Sequence, residues 1–155
     1  MKVRLLTVSH KQPSWVHEGC EEYTKRLPRE WGFQLLEIKP EPRTSGASTD
    51  RVQAAEAARL RAAVPKGAWV VALDERGEAW STQVLAERLA RWQQLGRDVA
   101  FLVGGADGLD PALRDGANQR VSLSAMTLPH GLVRIVVVEQ LYRAASLLQG
   151  HPYHK

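Results

Sequence analysis

The sequence predicts an α/β fold: a parallel-rich sheet covered by helices on both faces, built from one domain over residues 1–155. Three observations predict it. Short β-rich segments alternate with amphipathic ones along the whole chain. One of them, "AWVVALD" at 68–74, is nearly all apolar, as a strand buried on both faces should be. No internal repeat, low-complexity block or long linker divides the chain.

Each element follows from local chemistry. "VRLLTV" (3–8) reads as a buried strand, and Pro13 with Ser14 as a helix start capped by Ser14. Val16, Cys20, Tyr23 and Leu27 recur at helical spacing until Pro28 ends the run, with Lys25, Arg26 and Arg29 on the wet side. "FQLLEI" (33–38) is the second strand, and "KPEPRTSGAST" (39–49) a Pro/Gly/Ser surface loop. Asp50 or a neighbour caps an alanine-rich helix that stops at Pro65. After the strand at 68–74, Ser81 opens a helix striped with Leu85, Leu89 and Trp92 and closed by Gly96. "VAFLV" (99–103) is the fourth strand, Asp110-Pro111 starts a short helix closed by Gly116, and "RVSLS" (120–124) is the fifth strand.

The last element is "GLVRIVVVEQLYRAASLLQG". Its β-branched run resembles a strand, but its length and closing Gly150 make it a helix. Val133, Val137, Leu141, Ala144 and Leu148 form one apolar stripe; Ile135, Val138, Tyr142 and Ala145 form a second. Neither stripe belongs in water, so one is expected on the sheet and the other against a second copy of the chain.

The totals exclude several classes. The 155 residues, 44% hydrophobic and 25% charged, suffice for a core without covalent staples. A single cysteine, Cys20, excludes an internal disulfide and a thiolate-rich zinc site. The apolar start is too short for a signal peptide, and no run approaches the roughly 20 apolar residues of a membrane span. These features predict a protein that is neither exported nor membrane-spanning and works in the cytoplasm. The net charge of +4 leans mildly towards polyanions such as RNA.

In open α/β sheets ligands bind beyond the carboxyl ends of the strands, here Leu73-Asp74, Gly104-Gly105 and Leu123-Ser124. "GGADG" allows close backbone approach, but it lacks the spacing of a dinucleotide fingerprint or a P-loop, and a tight turn without a ligand explains it equally. Asp74 and Asp107 read either as a carboxylate pair or as turn residues. The closing "HPYHK" is a frayed end, a metal clip or a catalytic arm, and Pro152 after the helix-ending Gly150 is expected to keep it extended and projecting. His151-x-x-His154 supplies two donors where zinc wants three or four, so no metal is expected.

At "LVGGADGL", "VSLSAMTLPHGLVRIVVVEQLYRA" and the final "HPYH" the chain resembles a bacterial family, the SPOUT-class enzymes that methylate N3 of a pseudouridine in large-subunit ribosomal RNA. The resemblance runs the whole length, starting with "MKVRLLTVSHKQPSWV". It implies a SPOUT-type fold with a deep C-terminal trefoil knot, a homodimer, and S-adenosylmethionine held in the knot crevice. Carried over position by position, it places donor binding on Leu73, Gly104, Leu123, Ser124, Ala125, Met126, Thr127 and Leu128.

The implied partner is ribosomal RNA within a ribosomal particle, and the implied catalytic groups are Tyr153, His154, Lys155, Arg143 and His130. A base near neutral pKa, or cations around the imide oxygens, would lower the barrier to attack by N3. Rival roles exist: Glu139 and Arg143 stand four apart and can simply pair, Arg134 can be structural, and His130 can be a turn residue. The chain departs from some members in carrying Lys155 where they have Arg, which loses a bidentate fork. A non-catalytic ribosome-binding factor with the same fold and a flavodoxin-like enzyme are the competing readings.

Overall fold

The structure, a computed structural model, describes residues 1–154. Five strands form one sheet in the order β2-β1-β4-β3-β5, with every neighbouring pair parallel. They are β1 (Val3–Val8), β2 (Gln34–Ile38), β3 (Trp69–Ala79), β4 (Val99–Val103) and β5 (Gln119–Ser122). β4, in the middle, is buried throughout, as a strand covered on both faces must be.

Alternate residues feed the two faces, because side chains along a strand point to opposite sides. Leu5, Val71, Phe101 and Val121 join a core with α1 (Ser14–Thr24), α3 (Thr82–Gln94) and α5 (His130–Gln149). Leu6, Ala72, Ala100 and Leu102 face Ala57 and Leu60 of α2 (Thr49–Ala63) and Leu113 of α4 (Pro111–Gly116). The expected α/β sheet with helices on both faces is therefore what the chain forms.

Helix ends largely follow their cap chemistry. Ser81 Oγ accepts from Val84 N–H at 3.1 Å, and Asp110 accepts from Ala112 and Leu113 N–H ahead of Pro111. α2 is capped by Ser48, accepting from Arg51 N–H at 3.1 Å, two positions before the expected Asp50. Ser14 is not a cap: Pro13 takes that position, and no side chain bonds there. Gly96 and Gly150 both have positive φ where the chain leaves a helix.

Four expectations need correction. β3 does not stop at 74. Leu73 and Glu78 both register with Val121, so residues 74–77 loop out of the ladder and the strand resumes to Ala79. Gly77 permits this, since a Cβ there would lie 2.6 Å from the Arg120 carbonyl carbon. β5 ends at Ser122, leaving Leu123 and Ser124 beyond the strand.

The second stripe of α5 is not left over for a partner. α1 covers it: Val138 and Ala145 are buried, and Gly19 of α1 is so near Ile135 that a Cβ would meet its Cδ1 at 2.9 Å. Nor does the tail run on extended from Pro152. Gly150 turns the chain, His151 N–H bonds Ser146 O at 2.9 Å, and Pro152–His154 forms a 3-10 turn that packs back on α5. The φ that proline fixes suits a 3-10 turn as well as extended chain, so Pro152 does not enforce projection.

Candidate active site

A wholly parallel sheet gathers the carboxyl ends of its strands on one edge. The register sets Leu73 beside Val103 and Val121, so Gly104 and Leu123 leave the sheet on either side of Leu73. Between this edge and the α3–α5 pair lies a cavity of about 190 Å³. Leu73, Leu123, Leu85 and Val137 give it apolar walls, with Trp80 and Gln140 among its other lining groups. Two of the sequence-predicted donor-binding residues, Leu73 and Leu123, thus share one crevice.

Gly104 has a reason to be glycine that lies in the loop itself. A Cβ there would sit 2.5 Å from Gly108 C and Leu109 N, a separation that real Cβ atoms do not show. The loop doubles back, with Gly108 N–H bonding Gly105 O at 2.9 Å and Gly108 at φ 80°. Gly104 is buried by its own loop, so a ligand is not needed to explain it. Asp107 is committed elsewhere: Arg43 pairs with its carboxylate at 2.7 Å and Gln53 donates to its carbonyl at 2.7 Å.

Residues 123–128 link β5 to the start of α5. Ser122 Oγ donates to Ser124 O at 3.0 Å, and Met126 N–H donates to Ser124 Oγ at 2.9 Å, which shapes the segment. Ala125 and Thr127 are exposed, and Met126 is 79% exposed. Apolar side chains held open on a fixed backbone fit a ligand with an aromatic or aliphatic part, as S-adenosylmethionine has. Among the described residues no three of His, Cys, Asp and Glu gather as metal ligands.

The proposed catalytic groups fall into two places. His130 opens α5 beside the 123–128 segment, with its Nδ1 buried and unbonded. Arg143 lies towards the other end, its Nε donating to Glu139 at 2.8 Å and its guanidinium 4.8 Å above the Tyr153 ring. Tyr153 Oη donates to the same Glu139 oxygen at 3.1 Å, and its ring centroid is 4.4 Å from that of Tyr142. Burial, and then the bond to Glu139, push the Tyr153 phenol up to about 12. The bond to Glu139 likewise raises the Arg143 guanidinium.

Glu139 is about 14 Å of helix from His130 at roughly 1.5 Å per residue, so one chain does not bring the whole set together. His154 ends the 3-10 turn, and Lys155 lies outside the described residues. Arg134 takes the structural role. It is 2% exposed, donates to Ser9 Oγ at 2.5 Å and stands 3.5 Å from Glu37.

Sequence reasoning named Glu139 only as a helix partner for Arg143, a pair the structure forms, and it missed Glu56. Glu139 gathers Arg143, Tyr153 and Gln140, whose Nε2 donates to it at 2.8 Å. Glu56 is 5% exposed and receives the Glu41 N–H at 3.1 Å. Its signal was legible: Val52, Glu56 and Leu60 stand at i, i+4 spacing, a carboxylate on an apolar stripe.

The chain is similar to known proteins along its length. The family described as "Predicted SPOUT methyltransferase" matches residues 1–154. Ribosomal RNA large subunit methyltransferase H of Burkholderia ambifaria is 57% identical over 155 residues, covering 100% of this chain and 99% of that relative. The protein of the same name from Nitrosospira multiformis is 55% identical over 155 residues, with the same coverage. A solved probable methyltransferase from Bordetella pertussis Tohama I shares the fold, with a TM-score of 0.61 at 18% identity over 92% of this chain and 95% of that one. Matched along its length by the family and by relatives sharing more than half their residues, the chain belongs to the SPOUT methyltransferase family.

Proposed function

We propose that this chain transfers a methyl group from S-adenosylmethionine to N3 of a pseudouridine in large-subunit ribosomal RNA, acting on a ribosomal particle in the cytoplasm. The observation that carries this reading is full-length identity of 55–57% to relatives named for that RNA. The crevice fits the chemistry. Leu73 and Leu123 offer apolar walls, and the backbone of Gly104 and of Ser124, Ala125, Met126, Thr127 and Leu128 offers polar groups to the donor. S-adenosylmethionine supplies the electrophilic methyl when bound. The protein must then place N3 in line, accept its proton and steady the charge that spreads to the imide oxygens.

His130 stands beside the donor segment, and its imidazole and that of His154 are the groups proposed to accept the proton. Tyr153 is the opposite kind of group: a phenol held protonated by burial and Glu139 donates a hydrogen bond and does not act as base. Arg143 and Lys155 supply positive charge. Because His130 and the Tyr153–Glu139–Arg143 group lie apart on α5, we infer a homodimer in which a two-fold axis sets the helices antiparallel. That arrangement carries the partner's tail to the 123–128 segment. The exposed apolar side chains of Trp15, Met126 and Leu132, towards the amino end of α5, support such a contact. The C-terminal part is further proposed to thread the chain as a trefoil knot, with the 104–109 loop beside the 123–128 segment.

The test is incubation of ribosomal particles lacking the modification with the protein and methyl-labelled donor, followed by nucleoside chromatography. Label in N3-methylpseudouridine is the expected result. Donor and particle binding without transfer would make the chain a non-catalytic ribosome-binding factor.

A further inference from the structure

Burying a carboxylate is costly unless it is bonded, and Glu56 is buried where its helix otherwise carries Val52, Ala57 and Leu60. It bonds one loop at the carboxyl edge of the sheet and packs against another. It accepts the Glu41 N–H in the loop after β2, and its Oε1 lies 2.9 Å from where a Gly105 Cβ would stand. One turn earlier on α2, Gln53 grips the Asp107 carbonyl at the tip of the glycine loop. α2 thus ties loop 39–48 and the glycine loop together at the carboxyl edge of the sheet. Arg59, whose Nη1 donates to Lys39 O at 2.8 Å and which pairs with Glu41, closes the base of that fastening.

Loop 39–48 carries one guanidinium to that edge. Arg43 is 53% exposed and meets Asp107 through Nη2 at 2.7 Å. An ion pair open to solvent on its arginine side is weak, and a phosphate offers the same fork a better fit. Resting on the RNA-methyltransferase reading above, we propose that Arg43 is a positioning residue for the RNA. In the free enzyme it is parked on Asp107. On binding it moves to a backbone phosphate beside the target nucleotide, and loop 39–48, fastened by Glu56 and Arg59, sets where that phosphate lies. The contact fixes register and reads no base.

The experiment uses the full-length protein, ribosomal particles and labelled S-adenosylmethionine, with KM and kcat measured at several salt concentrations and donor binding by calorimetry. Arg43→Gln is expected to raise KM for particles roughly tenfold and to lower the salt slope by about 1, with donor affinity unchanged. Arg43→Lys recovers part of the loss. Asp107→Asn frees the guanidinium, so KM stays level or falls. Arg91→Gln, which removes an equal charge at the far edge of the sheet, leaves KM as it is. Equal damage from Arg43→Gln and Asp107→Asn would make the pair a mere staple between loops and overturn the proposal, as would an unchanged KM in Arg43→Gln. A wild-type protein that transfers no methyl group to particles would instead defeat the underlying functional reading, and the proposal with it.

Discussion

At Gly104 a single methyl group has nowhere to go. Gly104→Ala forces the glycine loop open against Gly108 and Leu109, and the cost of such overpacking is about 1–3 kcal/mol. A thermal melt should show Tm lowered by roughly 2–4 °C per kcal/mol, alongside weakened donor binding. An unchanged melt would mean that the loop is not closed as described. The double glycine was conspicuous in the sequence, but its cause was not, because the backbone it meets is brought there by the fold. Tyr153 makes a second prediction through its proton. The folded chain keeps that proton up to about 12, whereas a free phenol gives it up near 10.0. This contribution to stability is therefore complete below pH 10 and fades as pH rises through about 12. Ultraviolet titration of the native protein should contain a late tyrosinate step that Tyr153→Phe removes. If the variant lost a step near pH 10 instead, the phenol would not be resting on Glu139.

Elements were the most legible level, since period and punctuation are local. Ser81, Asp110 with Pro111, Gly96 and Gly150 mark helix ends where the sequence put them. Ser14 marks nothing, because Pro13 holds the cap position and Ser14 is already helical. The contrast is measurable by urea unfolding: Ser81→Ala should cost about 1 kcal/mol, and Ser14→Ala less than about 0.5 kcal/mol. Equal losses would mean that Ser14 caps after all. What local signals missed was non-local. β3 runs past 74 because β5 pairs with it on both sides of an outlooped segment, and the tail folds back because Tyr142, Glu139 and Arg143 wait for Tyr153.

For the whole molecule, the apolar stripes of α5 led sequence reasoning to a dimer by a route that the fold closes, since α1 covers the second stripe. The reason to expect two copies is instead the division of the chemistry between the ends of α5. Met126 and His130 lie at one end, Arg143 and Tyr153 lie near the other, and the crevice with Leu123 faces Val137 and Gln140 between them. A site completed across a two-fold axis makes a prediction that no single-chain site shares. One variant lacks residues 153–155; the other carries Leu123→Glu in the donor crevice. Each alone should transfer almost no methyl group to ribosomal particles. When the two are unfolded, mixed and refolded together, a mixed dimer holds one crevice with both defects and one with neither. Labelled methyl transfer should then reappear in the mixture, because the intact tail of one chain serves the intact crevice of the other. A mixture as inactive as its components, at a demonstrated population of mixed dimers, would contradict the shared site.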